Sequence, residues 1–306
     1  MPPKPLKPTK PSQTSVRRFR FEAGRGVDEP DELATEEPLE IRLRHRGLER
    51  VVAVTMRTPG ADAELAAGFL LAEGVVARPE QIVAVDRPSE AGGAGADEEA
   101  ANVVTVELGE SVPVPELATL ERHFFATSAC GVCGKAGLET LQLRAPWTLP
   151  DGPLLGAELL AALPDRLRAA QGLFATTGGL HAAALFDAQG ELLAVREDVG
   201  RHNALDKLLG WAFLDHRMPL FEHVVLVSGR SSYEILQKCL VAGVPVVCAV
   251  SAPSSLAVEL AERFGITLIG FLRGDRFNVY SGLERIVGAA ACAPSRRRRL
   301  LPIVPG

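Results

Sequence analysis

Aromatic residues make up only 5% of this 306-residue chain, too few for the row of stacking rings that a single-stranded nucleic-acid surface uses. Positive charge is not in surplus either. Thirty-three Lys and Arg face 38 Asp and Glu, a formal net charge of -5, so bulk attraction to nucleic acid or to an anionic membrane is not expected. No apolar run reaches the roughly 18 residues of a membrane span, and no apolar stretch follows the N-terminal lysines as a secretory signal would require. Five cysteines in a chain of this length do not make a disulfide scaffold, which points to a reduced, cytoplasmic setting. Walker and G-x-G-x-x-G patterns are missing, and with them the ordinary ATP and dinucleotide modules. What remains is 47% hydrophobic and 23% charged, the composition of a soluble globular protein with a sizeable core, in one large or two modest domains.

Residues 1–30 are rich in Pro, Lys and Arg and read as a disordered basic tail, either solvated or docked on an acidic partner. Residues 31–127 read as a smaller mixed α+β subdomain. Leu39, Ile41 and Leu43 alternate with charged residues, and Val51, Val52, Val54 and Met56 follow a polar turn containing Gly47, a hairpin pattern. After Pro59-Gly60, Leu65, Ala66, Phe69, Leu70 and Leu71 recur at helical spacing. Ile82 to Val85 and Val103 to Leu108 read as strands, with a Gly- and acid-rich surface insertion from Ser89 to Ala101 between them.

Residues 138–290 read as an α/β domain. Its first part, up to residue 175, is mainly helical, with Leu159, Leu160, Leu163, Leu167 and Leu173 as core candidates. A hairpin from Ala182 to Val195 precedes a helix over 203–214. Strands at 224–227, 246–250 and 267–271 then alternate with helices at 233–241 and 256–264. This alternation is the mark of a layered domain with a largely parallel sheet. Residues 291–306 form a C-terminal tail whose basic run, Ser295 to Arg299, reads as solvated.

Between the two structured regions, residues 128–137 hold Ser128-Ala129-Cys130-Gly131-Val132-Cys133-Gly134-Lys135. The glycines read as a mobile, exposed loop, and Lys135 favours a nearby thiolate. Three chemistries compete for Cys130 and Cys133. A structural zinc needs four ligands, and Cys239, Cys248 and Cys292 are isolated, the first two in apolar contexts. A thioredoxin-type pair follows a strand, whereas Arg122, His123, Thr127 and Ser128 read as linker. The third is a thiolate that carries sulfur as a persulfide, and a mobile loop suits carriage better than turnover in a fixed pocket.

In open α/β sheets ligands bind at the carboxyl ends of the strands, where helix N-termini present unpaired N–H groups. Three strand ends here share one chemical character: Ser228-Gly229-Arg230-Ser231-Ser232, Ser251-Ala252-Pro253-Ser254-Ser255, and Gly270-Phe271-Leu272-Arg273-Gly274-Asp275-Arg276. Hydroxyls, glycine backbone and arginines at adjacent strand ends suit a phosphate or diphosphate group, although any one serine could simply cap a helix. A second polar concentration runs from Arg196 to Lys207. It straddles a strand end and a helix start, with His202, Asn203 and Lys207 able to share one side of that helix. Such a junction is either a site or a dense structural network. His181, after Gly178-Gly179, is a further candidate, ambiguous alone because a satisfied core histidine reads the same way.

Several of these segments together resemble the formate dehydrogenase accessory sulfurtransferases, the FdhD family. The resemblance runs from about Glu37 to Ile286. It rests on Val54 to Gly60, Ser128 to Lys135, Thr177-Gly178-Gly179-Leu180-His181-Ala182-Ala183, Arg196 to Lys207, Ser228-Gly229-Arg230, Ser251 to Ala257, and Gly270 to Tyr280. It implies a sulfurtransferase that takes sulfane sulfur from a cysteine desulfurase onto Cys130, with Cys133 auxiliary. The sulfur then passes to the molybdenum (or tungsten) bis-guanine-dinucleotide cofactor before that cofactor enters the formate dehydrogenase catalytic subunit. The family's cofactor-binding segment maps onto Phe271, Leu272, Arg273, Gly274, Asp275 and Arg276. Around it the strand-end residues Ser228, Gly229, Arg230, Ser251 and Ser254, with His181, His202 and Asn203, are the remaining binding candidates. The resemblance also implies a homodimer and a three-layer α/β/α fold like that of cytidine deaminases. The zinc signature of those enzymes, His-x-Glu with Pro-Cys-x-x-Cys, does not occur here, so deamination is not expected and no resident metal is assigned. A non-catalytic cofactor chaperone is the alternative function.

Overall fold

Along each strand of the C-terminal half, successive apolar side chains go to opposite sides, as the period of two demands. Ala183, Leu185, Val225, Val227, Val247, Ala249 and Leu268 enter one buried cluster. Ala182, Ala184, Phe186, Val224, Leu226, Val246, Cys248 and Ile269 enter another. A sheet apolar on both faces must be covered on both, and the result is a three-layer α/β/α domain. The computed structural model describes residues 6, 10–88, 100–110, 112 and 147–288. The Cys130–Cys133 loop, Cys292, most of the 89–101 insertion, residues 136–146 of the expected helical stretch and the 291–306 tail lie outside the described residues.

The large sheet comprises β7 (His181–Asp187), β8 (Leu192–Asp198), β9 (His223–Val227), β10 (Val246–Ala249), β11 (Thr267–Arg273) and β12 (Arg276–Ser281), in the order β12-β11-β10-β9-β7-β8. One face carries α4 (Arg201–Leu214), α5 (Tyr233–Val241) and α6 (Ser255–Phe264), the other α2 (Ala157–Ala170) through Leu160, Leu163 and Leu167. The short α3 (Gly172–Thr177) leads into β7. Leu159 and Leu173, expected in the core, are only partly buried. The expectation of a largely parallel sheet needs correcting. Only β9–β10 and β10–β11 pair in parallel; β7–β8, β7–β9 and β11–β12 are antiparallel. The reason is local: β7–β8 and β11–β12 are hairpins with short turns, and a hairpin can pair only antiparallel. In the second, Arg273 faces Arg276, leaving Gly274-Asp275 as a two-residue turn with Gly274 at φ 55, the left-handed geometry such turns need.

A second, four-stranded sheet of order β4-β3-β6-β5 joins β3 (Glu37–His45), β4 (Leu48–Arg57), β5 (Ile82–Asp86) and β6 (Val103–Leu108). Leu39, Ile41, Leu43, Val104 and Val106 bury against α1 (Asp62–Ala72), and α1 lies on α4 so that one apolar cluster spans both sheets. At that crossing the two helices touch backbone to backbone. An ideal Cβ on Gly210 would collide with the carbonyl oxygen of Glu64 and stand 2.7 Å from the amide nitrogen of Gly68. One on Gly68 would collide with the carbonyl of Asp206 and stand 2.9 Å from the nitrogen of Gly210. Only glycine fits at either position.

Residues 13–34 correct the expectation of a disordered tail through residue 30. They form a hairpin arm, β1 (Gln13–Glu22) with β2 (Arg25–Ala34). Ser15 Oγ donates to Glu32, and the arm's arginines meet its acids: Arg17 pairs with Asp28, and Arg18 with Glu29 and Asp31. These opposite charges face one another across the ladder and support it. The arm is fixed at its base by Gln13 Nε2 donating to Thr176 Oγ1 (2.7 Å) and Ser12 Oγ donating to the Pro59 carbonyl (2.8 Å). Phe19 and Phe21 stand exposed along it.

Candidate functional site

Because β9, β10 and β11 run parallel, their carboxyl ends reach the same edge of the sheet, and backbone hydrogen bonds tie those ends together. Ser254 N donates to the Ser231 carbonyl (2.9 Å), and Phe271 N to the Ser251 carbonyl (3.1 Å). Arg273 Nε donates to the Val250 carbonyl at 3.0 Å. The antiparallel β7 contributes its first residue, His181, to this edge, opposite Asp198 at the end of β8. Helices α4, α5 and α6 begin here too, each directly after a strand end. The three Ser/Arg-rich segments of the sequence are therefore neighbours.

Their side chains divide by what they touch. Ser254 caps α6, its Oγ accepting from Ala257 N at 3.3 Å, so here the ordinary helix-capping role applies. Ser228 Oγ accepts from Ala182 N at 2.9 Å and fixes the start of β7. Ser251 is partly buried, and Arg230 is exposed. In the Phe271–Arg276 segment, Leu272 is wholly buried and belongs to the core below the sheet. Phe271, Arg273, Gly274, Asp275 and Arg276 are exposed. Phe271 sits at φ 54, in the left-handed region, beside a register break between Gly270 and Arg273, a conformation that costs an aromatic residue of order 1–3 kcal/mol and tends to mark functional loops. With Phe277 and Asn278, Phe271, Arg273 and Arg276 line an open recess of about 300 Å³.

The stretch from Arg196 to Lys207 resolves into both of its possible roles. Its inner half is a structural network. Asp198, with no exposed surface, accepts from Thr58 N (3.1 Å), Gly200 N (2.8 Å) and Asn203 Nδ2 (3.2 Å), and pairs with Lys207 Nζ at 2.7 Å. Lys207 also donates to the Thr58 carbonyl (2.8 Å). Asn203 donates to the Met56 carbonyl (2.7 Å), while Thr55 Oγ1 donates to its Oδ1. With its amide so engaged, Asn203 serves the joint between β4 and α4. Arg57, in the same Val54–Gly60 segment, is buried and forms an ion pair with Asp62 at 3.0 Å.

Its outer half faces the sheet edge. His202 Nε2 lies 3.3 Å from Ser232 Oγ and 3.5 Å from Glu234 Oε2. Both contacts use one ring nitrogen, so the acid does not orient the ring from its far side as a nucleophilic triad requires. Burial pushes the His202 imidazole down to about 4, with Arg201 and Lys238 adding to the effect and Glu234 opposing it. Burial and then Arg201 also lower the His181 imidazole, against the pull of Asp198. Gly229 lies against His181 and Arg201: a Cβ there would stand 3.3 Å from His181 Nδ1 and 3.7 Å from Arg201 Cδ. Two buried polar atoms beside this spot have no hydrogen-bond partner, Arg201 Nε and Ser231 Oγ. Unpaired buried donors are rare in native structures and call for an explanation. A guanidinium, a free hydroxyl, two neutral imidazoles and open glycine backbone fit an anionic oxygen-rich ligand, which a diphosphate is. Arg201 and Ser231 fall inside the two polar segments marked in the sequence, Arg196 to Lys207 and Ser228 to Ser232, but were not among the binding candidates drawn from them.

Among the described residues no three His, Cys, Asp or Glu side chains come together to hold a metal ion, and no helix is long and apolar enough to cross a membrane. Cys239 and Cys248 are fully buried, and burial pushes both thiols far above the ordinary range, which keeps them inert. Comparison with known proteins adds the following. The family model described as FdhD/NarQ matches residues 34–287. The chain is 52% identical over 277 residues to the "Sulfur carrier protein FdhD" of Streptomyces avermitilis, covering 90% of this chain and 96% of that one. Proteins of the same name from Mycobacterium tuberculosis (52% over 278 residues) and Sulfurisphaera tokodaii (41% over 272 residues) are each covered to 98%, and each match spans 89% of this chain. A crystal structure from Desulfotalea psychrophila, described as a proposed formate dehydrogenase accessory protein, superimposes with a TM-score of 0.68 at 25% identity, covering 90% of this chain and 100% of that one.

Proposed function

Since the chain belongs to the FdhD/NarQ family, we propose that it is a sulfur carrier accessory to formate dehydrogenase. In this reading the Cys130 thiolate attacks the outer sulfur of a persulfide on a cysteine desulfurase. The donor's S–S bond breaks, the donor cysteine leaves as thiolate, and Cys130 becomes the persulfide. The Cys130 S–S bond then breaks with its electron pair leaving on the Cys130 thiolate, and the outer sulfur passes to the reduced molybdenum (or tungsten) bis-guanine-dinucleotide cofactor, the substrate, whose metal supplies the two electrons that take it to sulfide. Cys133 is auxiliary, and the acceptor of the completed cofactor is the formate dehydrogenase catalytic subunit. A homodimer and a cytoplasmic location belong to the same reading.

The observation that carries the binding half is the convergence of three strand ends on one edge, with Arg201 Nε and Ser231 Oγ buried there and unpartnered. The exposed arginines at 273 and 276 flank the recess on the same edge. The chain's own groups bind and orient an anionic substrate here; the sulfur chemistry resides on Cys130.

The test is complementation of formate dehydrogenase activity by Cys130→Ala beside Cys133→Ala, with intact-mass measurement after incubation with a sulfur donor. We expect the wild-type protein to gain the mass of one sulfur atom and Cys130→Ala to gain none and fail to complement. Full loading and full complementation by Cys130→Ala would remove the persulfide assignment. Complementation by an unloaded Cys130→Ser protein would establish the cofactor chaperone instead.

A further inference from the structure

The hairpin arm takes no part in the sulfur chemistry, and its own contacts do little to hold it. Two strands alone are marginal in water, and exposed ion pairs such as Arg17–Asp28 and Arg18–Glu29 each add little. The body fixes the arm near its base, where Gln13 and Ser12 bond to it and β2 runs beside α3. Residues directly opposite in a ladder share a face. Arg17 with Pro30, Phe19 with Asp28, and Phe21 with Gly26 therefore lie on one face, together with Ser15 and Glu32. The Phe19 and Phe21 rings, 61% and 74% exposed, meet edge to face with centroids 5.2 Å apart. A Cβ on Gly26 would collide with the Phe19 ring, so that ring lies across β2 and this face is apolar at its tip from strand to strand.

Charge distinguishes what can cover such a face. Strand β1 carries Arg17, Arg18 and Arg20, whereas β2 carries Asp28, Glu29, Asp31 and Glu32. A partner of one sign attracts one strand and is repelled by the other. A second copy of the arm matches both. Stacked about a two-fold axis parallel to the strands, the basic strand of each arm lies over the acidic strand of the other, whereas an axis across the strands lays like charge on like. We propose that the Phe19–Phe21 face of the arm is a docking surface for the same face of a second copy of this chain. Arg17 of each copy then stands over Pro30 of the other, between Asp28 and Glu32, and the four rings form one apolar layer. A face of two ten-residue strands measures roughly 34 by 10 Å. The pair buries on the order of 700 Å², short of the roughly 1,200 Å² of a stable interface, so the contact is reversible. The inference gives a surface to the homodimer of the functional reading above and rests on that reading for the number of copies.

Sedimentation equilibrium of the full-length protein at low salt, over roughly 1–300 μM, covers the affinities of transient contacts. We expect wild type to dimerise reversibly in that range. Phe19→Ser combined with Phe21→Ser should weaken association by about 10- to 100-fold, as loss of central aromatic anchors does. Arg17→Glu alone and Asp28→Lys alone should each weaken it by about 10-fold, because each sets like charges together twice in the symmetric pair. An equimolar mixture of those two variants should associate as wild type does, since every charge then meets its opposite in the partner. An arm that had simply unfolded in either variant would show no such recovery. Self-association that survives all three variants would place the homodimer elsewhere and overturn the inference, and so would loss in the two charge variants without recovery on mixing. A wild-type protein that stays monomeric throughout would remove the inference and the homodimer together.

Discussion

Substituting Gly210 by alanine tests the helix crossing on which the two sheets depend. In an ordinary helix interior this change is favourable by about 1 kcal/mol, because alanine loses less backbone entropy than glycine on folding. Here the sign should reverse. The new Cβ collides with the Glu64 carbonyl and stands 2.7 Å from Gly68 N, where ordinary contact begins at 3.4 Å. Both obstacles are backbone atoms of α1, so no rotamer change relieves them. The helices must therefore part by at least 0.7 Å, the difference of those two distances. That separation loosens the contacts of Leu65, Ala66, Leu205 and Leu209, all buried at the shared core. Overpacking of this kind costs about 1–3 kcal/mol and occasionally more, and a backbone obstacle places it at the upper end. After the propensity gain is subtracted, we expect a net loss of about 2 kcal/mol, read from urea denaturation midpoints at constant slope. Gly172→Ala, where an added Cβ meets nothing within 4 Å, is the control and should be near neutral. A Gly210→Ala protein as stable as wild type, or more so, would refute the close crossing.

The His202 imidazole is lowered by burial to about 4 from an ordinary 6.5, so between those values the unfolded chain takes up a proton that the folded chain refuses. Stability should therefore fall as pH drops from about 6.5 toward 4, by on the order of 2–3 kcal/mol from this site. His202→Gln should flatten the profile, and an unchanged profile in urea titrations at pH 7.5 and pH 5 would disprove the assignment. For the buried Lys207–Asp198 pair, Lys207→Met strands a carboxylate and should cost about 3–5 kcal/mol. Adding Asp198→Asn should recover part of that loss, and strict additivity in the double-mutant cycle would argue against direct coupling.

Element positions were legible wherever the period was clean. The strand expected over Val103 to Leu108 and the helix over 233–241 coincide with β6 and α5. Strand direction was legible only in part: the hairpin read over Ala182 to Val195 is the antiparallel β7–β8 pair, but the period of two is identical in parallel and antiparallel neighbours, and β12 beyond the Gly274-Asp275 turn was not recognised. The arm at residues 13–34 was hidden because charged pairs, not buried apolar residues, line its ladder. The edge cluster was legible as chemistry, through serine and arginine at successive strand ends. Which of those side chains are spent on structure was not: Ser228, Ser254 and Asn203 look the same in sequence as Ser231 and Arg201, and only their hydrogen-bond partners separate them. The Gly68–Gly210 crossing was equally silent, since a helical glycine lowers propensity whether or not another backbone needs the space.

The hairpin arm has a practical consequence for handling the protein. Its ten-residue strands present open edges and two exposed phenylalanines, the geometry that invites edge-to-edge self-association. Arg17, Arg18 and Arg20 alternate with those rings along β1, while Asp28, Glu29 and Asp31 stand opposite, so the arm carries its own gatekeepers. That protection is electrostatic and shortens with the screening length, from about 10 Å at 0.1 M salt to about 3 Å at 1 M. Colloidal stability of the full chain is thus set by salt through a segment that lies almost wholly before the family core begins at residue 34, and trimming that segment removes the liability without cutting into either sheet of the fold.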